Sequence, residues 1–362
     1  MVVHYQTAGG TDIYGLGMPN IYNHYVNWDL GPTWCYLILG QKTTLIDTGR
    51  FENYEVLVAL LGETGKKPSD IDRVIITHGH EDHDGNLAEM LASSGAELWA
   101  HSIFSHMISY YPYIEDGAEH PEMPGSCRLC RMPEKYYRSC LPYLERRSSI
   151  SIDFAIEDSQ VLPDDGFSFI HTPGHTPDSI CIVLENGVIF TGDTLLPDIT
   201  PHPSVVYAFE VNRRILPERY RRENTIYGLK AYIKSLGRIA NLTSQPFQAT
   251  FPAHRLFYRG QFNLIHSSSD RAKEIIQFHI DRCRGILDIL DAKPAGIEEI
   301  TEQHFSSSLL KGTGKLVAQN EVMAHVEVME ESGDVCWVGE GRDMVQRTGS
   351  SNFLRTIGEY LK

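Results

Sequence analysis

The chain of 362 residues carries 32 lysines and arginines against 47 aspartates and glutamates, a net charge of −15, and is 42% hydrophobic. This composition excludes a disordered chain and argues against binding of nucleic acid through the overall field of the protein. No apolar run approaches the roughly 18 residues of a membrane helix, and the N-terminus lacks the pattern of a signal peptide. With seven cysteines, an odd number, we expect a cytoplasmic protein with reduced thiols and no membrane partner.

The first half of the chain alternates strand patterns with helix patterns, which is typical of an α/β fold. Apolar runs bounded by turn residues predict the strands, and apolar residues at helical spacing predict the helices. Strands are predicted at 34–39, 43–46, 73–77, 97–100, 167–171, 179–184 and 188–191, with helices at 54–62 and 86–93.

Residues 104–150 interrupt this rhythm with five prolines and three cysteines, so we predict an insertion or lid that is no framework element. Cys127-x-x-Cys130 has the spacing of a zinc site, which Cys140 and His120 would complete. Thiols that serve as small apolar side chains are the alternative, and a disulfide is a third possibility that a reducing compartment disfavours.

The character of the chain changes again near residue 266. Apolar residues at helical spacing predict a helix over 270–290, which two short helical segments and a strand at 334–339 follow. We therefore predict a catalytic domain over 1–265, which includes the insertion, and a small separate domain over 266–362.

The strongest chemical signal directly follows the predicted strand at 73–77. Four side chains of metal-ligand type, His78, His80, Asp82 and His83, fall within six residues. A turn at this point makes the side chains converge, whereas a continued strand would send alternate ones to opposite faces. Borderline-soft divalent metals such as zinc favour imidazole with carboxylate, so the segment predicts a metal site.

Three later residues of ligand type, His175, Asp193 and His254, also follow predicted strands or apolar runs. Such positions at strand ends are where α/β folds build their sites. Each is a weak signal alone, because histidine and aspartate at strand ends are often only hydrogen-bonded loop residues. In combination with the earlier cluster they predict one metal centre.

The pattern H-x-H-x-D-H, then Gly174-His175, then Gly192-Asp193, then a late His254, resembles the metallo-β-lactamase-fold hydrolase superfamily. The resemblance covers roughly residues 10–104 and 151–266 and implies a four-layer αββα sandwich. It also implies a support role for Asp47 and two Zn²⁺ ions, with iron or manganese as alternatives. In the implied ligand set, His78, His80 and His175 bind one metal, Asp82, His83 and His254 bind the second, and Asp193 bridges them.

The C-terminal segment is similar to the winged-helix tail of one branch of this superfamily, which includes a mitochondrial endoribonuclease. The similarity lies in residues 278–290, 296–300, 324–327 and 333–335, and residues 192–197 and 199–201 are similar to the same branch. Because acidic residues dominate this segment, we interpret it as a packing or dimerisation module and expect a homo-oligomer that does not bind nucleic acid.

Two cations about 3.5–4 Å apart would activate a bridging water to hydroxide near neutral pH. We therefore predict a binuclear-zinc hydrolase of a small anionic ester or thioester, such as an acyl-CoA. Asp82 and Asp193 are its predicted catalytic carboxylates, and Asp82 is also a candidate for proton handling. The alternative is a metal-dependent endoribonuclease or phosphodiesterase that uses the same centre.

Two basic segments bear on the substrate. Residues 125–150 hold six basic residues against two acidic ones, and residues 212–224 hold five against two. Arginine suits carboxylate and phosphate, so these segments either bind an anionic substrate or form solvated faces paired with acidic neighbours. The tyrosines of the insertion are candidates for an acyl pocket or for the lid's own core; they are Tyr110, Tyr111, Tyr113, Tyr136, Tyr137 and Tyr143.

Overall fold

Two large sheets dominate the part of the chain that the computed structural model describes. That part is residues 1–20, 29–109, 134–162, 166–185, 187–242 and 247–362, with backbone only at 134–139. The first sheet has seven strands in chain order: β1 (Val2–Gln6), β2 (Asp12–Met18), β3 (Thr33–Leu39), β4 (Thr43–Ile46), β5 (Arg73–Ile76), β6 (Glu97–His101) and β7 (Phe154–Ile156). The second has five, in the order β12-β11-β10-β9-β8: β8 (Val161–Leu162), β9 (Phe167–His171), β10 (Ile180–Leu184), β11 (Val188–Gly192) and β12 (Ala249–Pro252).

The direction of the strands decides which strand ends lie at the same edge of each sheet. In the first sheet β1 to β4 pair antiparallel and β4 to β7 pair parallel. In the second sheet β8 to β11 pair antiparallel, whereas β11 and β12 pair parallel. The carboxyl ends of β4 and β5 therefore share one edge, as do those of β11 and β12.

The strand β3 is buried on both faces because each face packs against a different layer. Trp34, Tyr36 and Ile38 pack against the second sheet. Cys35 and Leu37 alternate with them and pack against helices instead. This alternation is the two-residue period of a strand, and here both sets of positions are apolar. The sheets thus stack face to face with helices outside them.

Helices cover both outer faces. On the first sheet lie α1 (Tyr54–Glu63), α2 (Leu87–Ser94) and α3 (Ser102–Ile108). The insertion contributes α4 (Glu134–Ser148), two short helices follow as α5 (Tyr207–Asn212) and α6 (Glu218–Arg221), and α7 (Leu229–Asn241) packs on the second sheet. The predicted α/β class is confirmed, and the layers run helix, sheet, sheet, helix. Among the described helices, none has the length and apolar character needed to cross a bilayer.

The insertion differs from its prediction at both ends. The boundary at residue 104 falls inside α3, whose Ile103 and Phe104 are buried. At the other end, α4 runs through Pro142, although proline disfavours a helix interior. The helix persists because Cys140 and Tyr143 on either side of this proline are buried against Phe51. The proposed zinc ligands Cys127, Cys130 and His120 lie outside the described residues.

The C-terminal segment contains α8 (Ser268–Leu290), α9 (Ile297–His304), α10 (Gly314–Glu331), a hairpin of β15 (Val335–Val338) and β16 (Met344–Arg347), and α11 (Phe353–Tyr360). A small hairpin, β13 (Phe257–Tyr258) and β14 (Gln261–Phe262), precedes it. The helix predicted at 270–290 and the strand at 334–339 are confirmed. However, α10 has 18 residues where a short helix was predicted. It is buried around most of its circumference, so its sequence lacks a clear apolar stripe.

Candidate metal centre

The seven predicted ligands lie together where the strands of both sheets end. His78 follows β5, Asp193 follows β11 and His254 follows β12, while His175 lies in the loop between β9 and β10. The remaining three, His80, Asp82 and His83, lie in the turn after His78. The structure therefore brings all seven of these side chains close together.

Three histidines form the first group of ligand atoms. His80 Nδ1 lies 3.1 Å from His78 Nε2 and 3.2 Å from His175 Nε2. His78 is buried, whereas His80 and His175 are only partly buried. Among the described ligands, His80 and His175 are therefore on the less buried side of the centre.

Asp82, His83 and His254 form the second group, and all three are buried. His254 Nε2 lies 3.3 Å from Asp82 Oδ2, and His83 Nε2 lies 3.8 Å from Asp82 Oδ1. The group offers two imidazoles and one carboxylate within 4.8 Å of one another.

Asp193 lies between the two groups and directs one oxygen to each. Its Oδ2 is 3.4 Å from His175 Nε2 in the first group. Its Oδ1 is 3.4 Å from His254 Nε2 and 3.5 Å from His83 Nε2 in the second. Asp193 is therefore near both groups of ligand atoms.

The two groups differ in charge. Burial, and next the neighbouring His175, lower the pKa of His80 to about 3, so its imidazole is neutral. For His254, burial acts in the same direction, but the carboxylates of Asp193 and Asp82 outweigh it and raise the pKa to about 9. Without another cation, the carboxylates thus draw a proton onto the second group.

In the described part of the chain, several buried polar atoms of the centre lack hydrogen-bond partners, which a bound cation would explain. His83 Nε2, His254 Nε2 and Asp193 Oδ1 are buried and have no hydrogen-bond partner among the described residues. Buried polar atoms without partners are rare and need an explanation. Because these atoms face one another and are of the types that zinc prefers, the residues present fit a divalent metal.

Asp47, the predicted support residue, fixes the orientation of His83. Its Oδ1 accepts the Thr77 backbone N–H at 2.8 Å, while Oδ2 accepts the Thr77 hydroxyl at 2.7 Å and His83 Nδ1 at 2.9 Å. Donation from Nδ1 leaves the lone pair of His83 on Nε2, which faces the centre. Such a partner sets the tautomer of a metal-binding histidine.

Replacement of Asp47 by asparagine is expected to weaken binding at the second group by roughly 10–100-fold. The Thr77 backbone N–H holds the amide oxygen at the Oδ1 position, so the amide NH₂ replaces Oδ2 and opposes donation from His83 Nδ1. The fold should survive, because asparagine tolerates the positive φ of 58° at this residue. Zinc titration and thermal unfolding measure the two effects, with Asp12→Asn, at a partly exposed residue of β2, as control. Equal zinc affinity in both variants contradicts the assignment.

Sequence reasoning missed several residues that hold the ligands. Asp82 Oδ2 accepts hydrogen bonds from Asn20 at 2.9 Å and from the Thr33 hydroxyl at 3.0 Å. His175 Nδ1 donates to the carbonyl oxygen of His202 at 2.7 Å. These contacts join distant parts of the chain, and no local pattern in the sequence marks them.

The peptide groups of Gly79, between His78 and His80, are held from two sides. Its N–H donates to Asp178 Oδ2 at 2.9 Å, and its carbonyl oxygen accepts from Arg147 of α4 at 3.3 Å. Arg147 also pairs with Asp84 at 2.9 Å, and the Tyr143 hydroxyl hydrogen-bonds to Asp84. The last turns of the insertion therefore directly support the turn that carries His78 and His80.

The described charges of the two basic segments are largely engaged within the protein. In the insertion, Arg146 pairs with Glu89 at 3.2 Å and Arg147 pairs with Asp84. In the second segment the ion pairs are Arg213 with Glu210, Arg219 with Glu157 and Arg222 with Glu218. Tyr143 likewise belongs to the framework rather than to an acyl pocket, since it stacks on Phe51. The interpretation as paired, partly solvated faces accounts for these residues.

A further buried group of ligand type, His279, Glu321 and His325, lies between α8 and α10. Most of its polar atoms are paired: His279 Nδ1 lies 3.0 Å from His325 Nε2, and Arg282 donates to Glu321 Oε1 at 2.6 Å. His279 Nε2 has no hydrogen-bond partner among the described residues. The guanidinium of Arg282 compensates the charge of the Glu321 carboxylate. We interpret this group as a polar connection that fixes the two helices against each other.

The chain belongs to the metallo-β-lactamase superfamily, whose family model matches residues 28–238. A probable metallo-hydrolase of Bacillus subtilis, YqjP, is 25% identical over 331 residues, which cover 88% of this chain and 94% of that protein. The crystal structure of the metallo-β-lactamase family protein TTHA1429 from Thermus thermophilus has the same fold, with a TM-score of 0.69 at 23% identity, over 92% of this chain and 98% of that one.

A shorter match is the hydroxyacylglutathione hydrolase GloC of Haemophilus influenzae. It is 26% identical over 125 residues, which cover 34% of this chain and 49% of that protein. Taken with the ligand groups, membership of this superfamily makes the chain a metal-dependent hydrolase.

Proposed function

We propose that this protein is a binuclear-zinc hydrolase of a small ester or thioester. The observation that carries the proposal is the position of Asp193, whose two oxygens reach two separate groups of ligand atoms. His78, His80 and His175 would hold one Zn²⁺, and Asp82, His83 and His254 the other. The resemblance that favours zinc over iron rests on His80, where diiron relatives usually carry glutamate.

When bound, the two cations supply Lewis-acid polarisation of the scissile carbonyl and activation of a water. Residues of the chain hold the predicted ligands in position for this chemistry. Asn20 and Thr33 both donate to Asp82, which stabilises the ionised carboxylate as a ligand. The partly exposed side of the centre, at His80 and His175, is the side from which a substrate would enter.

A thioester is our preferred substrate class. GloC, by its name, hydrolyses a hydroxyacylglutathione, which is an anionic thioester. The match covers only a third of this chain, so it supports the class of bond and leaves the acyl group open.

We propose that the substrate is anionic and that basic residues of the insertion bind its negative charge. The side chains of these residues lie outside the described part of the structure. These are Arg128, Arg131, Lys135 and Arg138. If they bind the anionic part of the substrate, the double variant Arg128→Ala/Arg131→Ala should raise KM for an acyl-CoA several-fold. KM for the uncharged ester p-nitrophenyl acetate should stay unchanged. An equal change for both substrates would contradict anion recognition by these residues.

Zinc-loaded wild-type protein is expected to hydrolyse one or more acyl-CoA or acylglutathione thioesters, with thiol release measured by a chromogenic thiol reagent. The variant Asp193→Ala supplies the background, because its change lies in the predicted bridging ligand. Labelled RNA is tested in parallel. Rapid RNA cleavage without turnover of any thioester would overturn the preferred function in favour of the nuclease.

The nuclease is the second candidate because of the C-terminal segment. Its three helices followed by the β15–β16 hairpin have the order of a winged helix, a module that often binds nucleic acid. Against it, Lys315 pairs with Glu298 and Glu302, and Lys293 pairs with Glu299 at 2.9 Å. Because these lysines are paired with glutamates of α9, little positive charge remains around this helix to bind a phosphate backbone.

We further propose that the protein acts in the cytoplasm as a homo-oligomer. The proposals follow from its odd number of cysteines and from the acidic character of the C-terminal segment. Light scattering during size-exclusion chromatography measures the oligomeric state.

A further inference from the structure

The segment 195–206, between β11 and α5, lies directly behind the predicted ligand His175. Its His202 carbonyl oxygen accepts the hydrogen bond from His175 Nδ1 at 2.7 Å. Its Ser204 donates both its backbone N–H, at 2.7 Å, and its hydroxyl, at 2.8 Å, to the carbonyl oxygen of Gly174. The orientation of the His175 imidazole therefore depends on where this segment lies.

The C-terminal helices hold the segment at several points. Arg271 of α8 donates to the carbonyl oxygens of Leu196 at 2.7 Å and Ile199 at 3.0 Å. Farther along, the His202 imidazole lies 3.2 Å from the Val317 carbonyl oxygen at the start of α10. The backbone N–H of Val206 donates to the carboxylate of Glu327, also on α10, at 2.9 Å.

We propose that the C-terminal helices position the metal ligand His175, with Arg271 as the main positioning residue. Arg271 contacts no predicted ligand. It acts through the 195–206 segment, whose His202 carbonyl fixes the ring of His175. The inference rests on the metal centre of the proposed function and assigns the C-terminal segment a role besides packing.

Two observations support a positioning role over simple surface contact. The Arg271 side chain is 18% exposed, and its guanidinium meets two carbonyl oxygens of one segment, which fixes both distance and direction. In addition, the buried connection between His279 and His325 fixes α8 against α10. Arg271 and Glu327 therefore contact the 195–206 segment from two helices that are fixed against each other.

The test compares Arg271→Met with Lys273→Met. Both variants replace a cation on the same turn of α8, but Lys273 is 63% exposed and pairs only with Asp270, at 3.6 Å, among the described residues. Competition between the protein and a chromogenic chelator for zinc measures the affinity of each of the two ions. We expect Arg271→Met to weaken the binding of one ion several-fold and to leave the binding of the other unchanged. The loss should be smaller than the roughly 10–100-fold typical when a direct outer partner of a ligand is removed, because Arg271 acts through the 195–206 segment. Lys273→Met should match the wild type.

A second readout is independent of metal. In the metal-free protein, the hydrogen-bonded Nδ1–H of His175 should give a downfield proton resonance, assigned by its absence in His175→Gln. We expect this resonance in the wild type and its loss or broadening in Arg271→Met. Should Arg271→Met fail to fold, His202→Leu removes the link to α10 and keeps the carbonyl, so the resonance should broaden there too.

Unchanged zinc affinities and an unchanged resonance in folded Arg271→Met or His202→Leu would overturn the inference. Failure of the proposed function has a different signature: wild-type protein that binds fewer than two zinc ions, or that turns over none of the thioesters. A wild type with two ions and no thioester activity would leave the positioning role measurable by both readouts.

Discussion

Replacement of Asp193 by alanine should reduce the bound metal from about two ions to about one per chain and should abolish hydrolysis. The carboxylate reaches His175 in the first group and His83 and His254 in the second, so its loss removes a ligand from both. The decrease in kcat/KM should exceed the 10–100-fold typical for loss of an outer partner. Elemental analysis of dialysed protein and turnover of the best thioester measure the two effects.

The matched control is Asp281→Ala on α8. Asp281 pairs with Arg284 at 2.6 Å and is 58% exposed, so its loss should leave metal content and activity near the wild-type values. His80→Ala provides a contrast, since His80 belongs to the first group alone and its loss should spare the second ion. Two fully occupied sites in Asp193→Ala would contradict the bridging role.

Removal of residues 268–362 should produce aggregated protein. One continuous core contains Ile189 of the second sheet, Leu236 of α7, and Ile275 and Met329 of the C-terminal helices. Truncation would expose the apolar surfaces of β11 and α7 to water, and a patch of that extent promotes association. Size-exclusion chromatography after expression measures the outcome. A soluble truncated protein with wild-type metal content and activity would show that the catalytic part folds alone.

A single substitution tests the same core without truncation. Ile275→Ala should lower the free energy of unfolding by about 2–5 kcal/mol, because Ile275 is fully buried and a cavity would remain. Leu354→Ala, on the exposed face of α11, should change it by about 0.5 kcal/mol or less. Urea unfolding of both variants gives the comparison, and similar values would contradict the continuous core.

Sequence patterns predicted seven of the twelve strands in the two sheets and missed β1, β2, β7, β8 and β12. The strand β2 was missed because it contains Gly15 and Gly17. An added Cβ at these positions would lie 3.3 and 3.2 Å from the ring of Trp34, so the glycines make room for this side chain. Glycine in a strand weakens the local signal even when close packing requires it.

The candidate centre was easier to predict than its surroundings. All seven predicted ligands lie near one another, because ligand-type residues after strands have a clear sequence signature. The partners that hold them have none. Asn20 and Asp82 are 62 residues apart, and Gly79 and Asp178 are 99 apart, so only the folded chain reveals these contacts.

The support of Gly79 by Arg147 has a consequence for attempts to alter substrate choice. An engineer who exchanged residues 104–150 for the corresponding segment of a relative would also remove the guanidinium that holds the Gly79 carbonyl and the partner of Asp84. Specificity and metal retention would then change together, and loss of activity would be misread as a poor substrate fit. A transplant that ends before α4 and keeps Tyr143 and Arg147 separates the two properties.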